Sequence, residues 1–131
     1  MGLPHLFKLT AAETGGLLSF EEFTLAPGAM GARPHVHEQH DEHFYVVSGE
    51  LTFHTGADEV GAGPGTLVAA LRGSAHGFRN ASDAPATAIC LYTPGGYEDF
   101  FRDVHRAVSE GAEPTAELMA EFRSRYHSHT L

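Results

Sequence analysis

Short runs of aromatic and β-branched residues, separated by glycines, occupy the chain from about Gly16 to Tyr92. Gly15-Gly16, Pro27-Gly28, Gly49, Gly56, Gly61-Ala62-Gly63-Pro64-Gly65, Gly73 and Gly77 recur roughly every 8 to 12 residues, the rhythm of short strands in a sandwich or barrel. Between them the pattern predicts strands at Leu17–Leu25, Glu42–Val47, Leu51–Thr55, Thr66–Ala70, His76–Asn80 and Ala86–Tyr92. No long helical period interrupts this series, so alternating strand–helix units are disfavoured. Beyond it the period changes. From Tyr97 to Ser109 the residues Phe100, Phe101, Val104, His105 and Val108 share one face at helical spacing, and Gly111 follows as a stop. A second helix is predicted from Pro114 to about Tyr126. The expected fold is all-β, a barrel over about residues 16–93, with a pair of C-terminal helices over about 97–127.

A chain of 131 residues fits one domain, and 42% apolar with 19% charged residues is ordinary globular composition. Nine Phe and four Tyr supply the volume to fill a barrel or line a pocket. Eight Lys and Arg stand against 17 Asp and Glu, a formal charge of −9, which repels phosphate backbones and anionic membranes. The single Cys90 lies in the apolar run Ala88-Ile89-Cys90-Leu91-Tyr92, as a buried, inert thiol would. No apolar stretch reaches the roughly 20 residues of a membrane span. The start, Met1-Gly2-Leu3-Pro4-His5, lacks the basic and apolar segments of a secretory leader, so a cytoplasmic protein is expected.

The ten histidines change the picture most. In His35-Val36-His37-Glu38-Gln39-His40-Asp41-Glu42, residues two apart on a strand project from the same face, so His35 and His37 can share one metal ion. Glu42 follows after a four-residue turn, at the start of the next apolar strand, where its carboxylate can return to the same point. His76 comes later, after a turn around Arg72-Gly73 that would put it on a strand beside the first pair. Three imidazoles and one carboxylate leave open positions on a six-coordinate ion, as catalysis requires. His43 alternates away from Glu42, and His40 sits in the turn. Both are expected at the surface or behind the ligands, with His40 a further ligand candidate. His5, His54, His105, His127 and His129 carry no motif and default to solvated or packing roles.

His35-x-His37-x4-Glu42-x6-Gly49 resembles the first motif of the cupin superfamily, and Gly65-x5-Leu71-x-Gly73-x2-His76-x3-Asn80 resembles its second. Ala29 stands where the family has glycine, and Leu71 where it has proline; both positions shape turns and not the metal shell. The segment Tyr92-Thr93-Pro94-Gly95-Gly96-Tyr97-Glu98-Asp99-Phe100-Phe101 is similar to the end of small single-domain cupins of the quercetinase-like dioxygenase type. The resemblance implies a double-stranded β-helix, or jelly-roll barrel, and one divalent transition metal held by His35, His37, Glu42 and His76. Iron, nickel, manganese, cobalt, copper and zinc all suit such ligands. It further implies a homodimer and an oxidative ring opening of a flavonol-like or other enolic aromatic substrate by O2 with loss of carbon monoxide. Glu42 would then act as general base. Met30, Phe44, Val46, Phe53, Phe78 and Tyr92 are the candidate pocket walls. Two other classes share the same metal site: a non-oxidative cyclase, isomerase or decarboxylase, and a cupin that binds metal or ligand without chemistry.

Overall fold

The computed structural model describes residues 5–131. In chain order the elements are β1 (Leu6–Leu9), α1 (Ala11–Thr14), β2 (Ser19–Leu25), β3 (Met30–His37), β4 (Asp41–Ser48), β5 (Leu51–Thr55), β6 (Asp58–Ala62), β7 (Leu67–Ala70), β8 (His76–Arg79), β9 (Ala86–Thr93), α2 (Glu98–Ser109), α3 (Ala116–Arg125) and β10 (Ser128–Thr130). The strands form two five-stranded sheets, in the orders β1-β2-β9-β4-β7 and β10-β3-β8-β5-β6. Every pairing is antiparallel. The expected all-β barrel with C-terminal helices is the observed architecture.

Alternation explains why the sheets close on a common interior. In β9 every second residue, from Ala86 through Ala88 and Cys90 to Tyr92, is buried, and in β2 the same holds for Ser19, Glu21, Phe23 and Leu25. The interior is aromatic at its centre. The Phe44 ring lies 5.1 Å from that of Phe78 and 5.2 Å from that of Phe53, while Phe23 stands 5.3 Å from Phe78. Cys90 is a free, fully buried thiol whose pKa burial pushes well above the usual range, in keeping with an inert role.

Gly49 and Gly77 are among the glycines that close approach requires. Gly49 turns the chain from β4 into β5 at φ 74°, and a Cβ there would meet the Pro85 carbonyl oxygen at 2.4 Å. Gly77 lies against the β3 backbone, where a Cβ would meet the Ala32 oxygen at 2.7 Å.

Four strands lie outside the predicted runs: β3, which only its histidine doublet marked, and three others. β1, β6 and β10 are short and mostly exposed, so their sequences carry no alternation to read. β10 matters most: residues 128–130 return from α3 to pair with His37, Val36 and His35 of β3. Leu17 and Leu18 precede β2 instead of opening it, and Leu17 is exposed. The helix predicted at Tyr97–Ser109 is α2. The second begins at Ala116, capped by the Thr115 side chain, which accepts a hydrogen bond from the Leu118 amide. Glu98, at the start of α2, is buried and ties the layers together. It accepts hydrogen bonds from the Ser19 hydroxyl at 2.5 Å, the Ala11 amide at 2.7 Å and the Gly96 amide at 2.9 Å. Among the described residues no helix is long and apolar enough to cross a membrane.

Candidate metal centre

Four residues from three strands converge at one end of the barrel. His35 and His37 come from β3, Glu42 from the start of β4 and His76 from the start of β8, directly across from His35 in the β3–β8 register. β3 and β4 belong to different sheets, so the turn after His37 carries the chain across the interior. Asp41 and Arg72 pin that turn. The Arg72 backbone amide and guanidinium both donate to Asp41, and the guanidinium also donates to the Thr93 carbonyl. The Arg72 hydrogen bonds hold the Asp41 carboxyl down at about 2. The Gly73 amide donates to the His37 carbonyl at 2.7 Å, fixing the β7–β8 loop beside the same residue.

One ligand atom from each of the four lies within 4.8 Å of all the others, and all four residues are buried. The protein orients each imidazole through its Nδ1. His35 Nδ1 donates to the Arg33 carbonyl at 2.6 Å, and His76 Nδ1 to the Ser74 carbonyl at 3.2 Å. His37 Nδ1 meets the Ser128 hydroxyl at 2.5 Å, and that hydroxyl in turn donates to the Tyr126 carbonyl. These bonds commit each Nδ1 as a donor and leave three Nε2 lone pairs facing inward. The Nε2 atoms of His35 and His37 then stand 2.9 Å apart with lone pairs opposed, an arrangement that a shared cation relieves. The donor set therefore fits a transition metal ion.

The electrostatics agree. Burial, then His76 and His37, pushes the His35 pKa down to about 3. Burial also lowers His37. For Glu42 burial acts upward, but the charge and hydrogen bonds of the surrounding histidines outweigh it and hold the carboxyl well below its usual range. Burial draws His76 down, yet Glu42 at 3.3 Å outweighs it and leaves the group raised.

His40, expected at the surface or behind the ligands, is buried, and its Nε2 lies 2.8 Å from Glu42 Oε2, the same oxygen that meets His37 at 2.8 Å. It supports Glu42 from behind. Its position in the turn gave no sign of burial, because the cover comes from Tyr97 on the distant α2 side, 4.6 Å away ring to ring. His43 points outward as its alternation requires, with Nε2 3.4 Å from the Thr93 hydroxyl.

A cavity of about 170 Å³ opens beside the cluster and is lined by three of its members, His35, His37 and Glu42. Of the predicted walls, Met30, Phe44, Phe78 and Tyr92 line it. Val46 does not; it is fully buried core. Phe53 faces a separate depression shared with Val68 and Ala70. Phe100 and Phe101, which the sequence puts on one face of the helix, are cavity walls, because α2 folds across the barrel mouth. Tyr97, Met119 and Arg123 from the helical tail join them, along with Glu21 and His5. His5, expected in a solvated or packing role, packs: its ring stacks on Phe101 at 3.7 Å, and its Nδ1 bonds Glu21. No local pattern marks these positions, since helix and barrel meet only in three dimensions.

Comparison with known proteins adds to this geometry. The family described as "Cupin domain" matches residues 21–92. Quercetin 2,3-dioxygenase from Bacillus subtilis (strain 168) is 32% identical over 68 residues, which are 52% of this chain and 20% of that protein. The chain thus spans about a fifth of the length of this curated relative. A sugar phosphate isomerase of the cupin superfamily from Silicibacter pomeroyi is similar in structure, with a TM-score of 0.59 and 30% identity over 70% of this chain and 59% of the other. A conserved protein with a double-stranded β-helix domain from Klebsiella pneumoniae aligns with a TM-score of 0.64 at 22% identity, over 72% of this chain and 79% of its own, and shares the fold.

Proposed function

The chain belongs to the cupin family, and from that premise we propose that it is a metal-dependent dioxygenase of a flavonol-like or other enolic aromatic substrate. The observation that carries the reading is a cluster of three imidazoles and one carboxylate, of which His35, His37 and Glu42 line an aromatic-walled cavity. The local likeness to quercetin 2,3-dioxygenase supports it. In this reading His35, His37, Glu42 and His76 hold one divalent transition metal, which when bound acidifies a coordinated enolic hydroxyl and offers a redox centre for O2 chemistry.

The chain's own residues do the rest. Phe44, Phe78 and Tyr92 form the walls against which a flat ring stacks, and Met30, half exposed, stands at the mouth. Phe100, Phe101 and Tyr97 cover the barrel end and exclude water from the ligand-facing side. Ser128, Arg33 and Ser74 keep the three imidazoles in the metal-ready tautomer. Glu42 has two parts, anionic ligand and, once an oxygen is released from His40, base toward the substrate hydroxyl.

A second reading is a non-oxidative isomerase, cyclase or decarboxylase, favoured by the structural likeness to the sugar phosphate isomerase. Elemental analysis of untagged protein, followed by oxygen uptake with 3-hydroxyflavone, separates the two. The expected result is about one redox-active metal ion per chain and oxygen consumption matched by carbon monoxide release. Zinc as the sole native metal, or no oxygen uptake, overturns the oxidative reading. His37→Ala should abolish stoichiometric metal while leaving the strand signature in circular dichroism; full metal occupancy in that variant overturns the ligand assignment. A cytoplasmic homodimer completes the proposal.

A further inference from the structure

The cavity has a second set of polar side chains outside the metal cluster. Glu21, from the middle of β2, has no solvent exposure and yet lines the cavity wall. A carboxylate in aromatic surroundings is costly to bury and is kept where its oxygens are engaged. Here Oε1 lies 2.7 Å from His5 Nδ1, and Oε2 accepts from the Tyr92 hydroxyl. Burial pushes the Tyr92 pKa well above its usual value, so this phenol stays protonated and acts as a donor.

A carboxylate on Nδ1 sets the imidazole. With Nδ1–H donated to Glu21, Nε2 carries the lone pair, the arrangement that turns a histidine into a proton acceptor. Stacking on Phe101 at 3.7 Å holds the ring in place, and among the described residues Nε2 has no hydrogen-bond partner. His5 lines the cavity and its side chain keeps 20% exposure, so a ligand can reach it.

We propose that His5 is a catalytic proton acceptor of this cavity, held by Glu21 as a positioning residue, and that its substrates are aromatic or enolic molecules with an acidic hydroxyl group. The inference rests on the cavity being the substrate site, as proposed above. In the step, the substrate O–H bond breaks, its electron pair stays on oxygen, and the proton forms an N–H bond at His5 Nε2. A neutral pair becomes an enolate and an imidazolium, the latter facing the Glu21 carboxylate. The imidazolium later returns its proton to product or to water at the mouth, so no oxidant or reductant is consumed. His5 is thus a second acceptor, built independently of Glu42.

The groups around His5 are few. Glu21 faces it from β2, with Tyr92 of β9 behind Glu21, while β1 and α2 contribute the apolar rings of Phe7 and Phe101. Arg123 of α3 and three of the clustered residues, His35, His37 and Glu42, share the cavity wall.

The test uses the metal-loaded full chain, under nitrogen, with 3-hydroxyflavone as probe, because a flavonol anion absorbs at longer wavelength than its neutral form. Wild-type protein should bind the probe as the anion at neutral pH. His5→Gln should still bind it, but with half-ionisation raised by about one pH unit or more. Glu21→Gln should shift it the same way by less, and added imidazole should restore ionisation in His5→Ala. Equal ionisation in wild type and His5→Gln overturns the proposal, as it would if Glu42 alone took the proton; neutral probe bound to wild type overturns it too. Admitting oxygen then separates this inference from the dioxygenase reading. Ionisation that depends on His5 without oxygen uptake leaves the dyad standing and removes the dioxygenase. Oxygen uptake in His5→Gln within about tenfold of wild type does the reverse, since loss of a general base costs about 100-fold or more. A probe that does not bind overturns both.

Discussion

At the scale of single residues, the centre depends on which nitrogen of each imidazole is free. Ser128 decides this for His37 by accepting a hydrogen bond from its Nδ1. Ser128→Ala should therefore weaken metal binding by about 10-fold while leaving the ligands in place. A competitive chelator titration reads the change, and affinity equal to wild type would show that the hydroxyl does not set the tautomer. The pairing of His76 with Glu42 has a consequence for pH. Its raised pKa means that the metal-free protein keeps a proton there to higher pH than a free imidazole does, a proton the metal must displace. Affinity should fall as pH drops through that raised value, by about tenfold per pH unit for one proton. The ion pair's contribution to metal-free stability has its own sign: it is fully present below the unfolded value of 6.5 and is lost as pH rises through the folded one. His35 acts oppositely. With its pKa pushed down to about 3, it disfavours folding increasingly as pH falls from 6.5 toward that value. Isothermal titration between about pH 8 and about pH 6 checks the metal dependence, and a flat affinity contradicts it.

Between elements, the decisive contact is β3 against β8, because it brings His35 opposite His76. Gly77 permits that approach, since a side chain there would press on Ala32, Pro34 and Arg33 backbone atoms at 2.7 to 3.0 Å. Those atoms belong to a strand that cannot swing aside. Gly77→Ala should cost about 1–3 kcal/mol, measured by denaturant unfolding, and should loosen the metal as well. An unchanged unfolding midpoint would mean that β3 yields easily. The second motif was legible here because its glycines mark turns, and the strand doublet because side chains alternate. β10 was not legible. Its three residues are polar, and it is a strand only because β3 offers an unpaired edge.

For the molecule as a whole, the outer face of one sheet carries exposed apolar residues. Tyr45 of β4 and Leu67 of β7 are cross-strand partners and both are exposed, with Val47 nearby on β4. The segment Leu17-Leu18-Ser19-Phe20, apolar as it is, offers less. Ser19 is buried, and β2 is already flanked by β1 and β9. The proposed homodimer should therefore use the Tyr45 face. Sedimentation should give about twice the chain mass of 14.1 kDa, and Leu67→Glu should return it to one chain. A wild-type monomer at all concentrations would overturn the dimer.

The sequence by itself determined the strand rhythm, the two turns and the four residues His35, His37, Glu42 and His76 as one group. It could do so because strand alternation and glycine turns are local, and because few residue types offer metal a lone pair. Only the tertiary structure decided what surrounds that group. His40 is buried by Tyr97, His37 is held by Ser128 from the far end of the chain, and His5 meets Glu21 inside the cavity. Each of the last two pairings joins residues well apart in sequence through sheet order and helix docking, and no spacing rule encodes such contacts. The four grouped residues were therefore readable in the chain, as were Met30, Phe44, Phe78 and Tyr92 among the cavity walls, while Ser128 and the walls from the helical tail emerged only when the helices closed over the barrel.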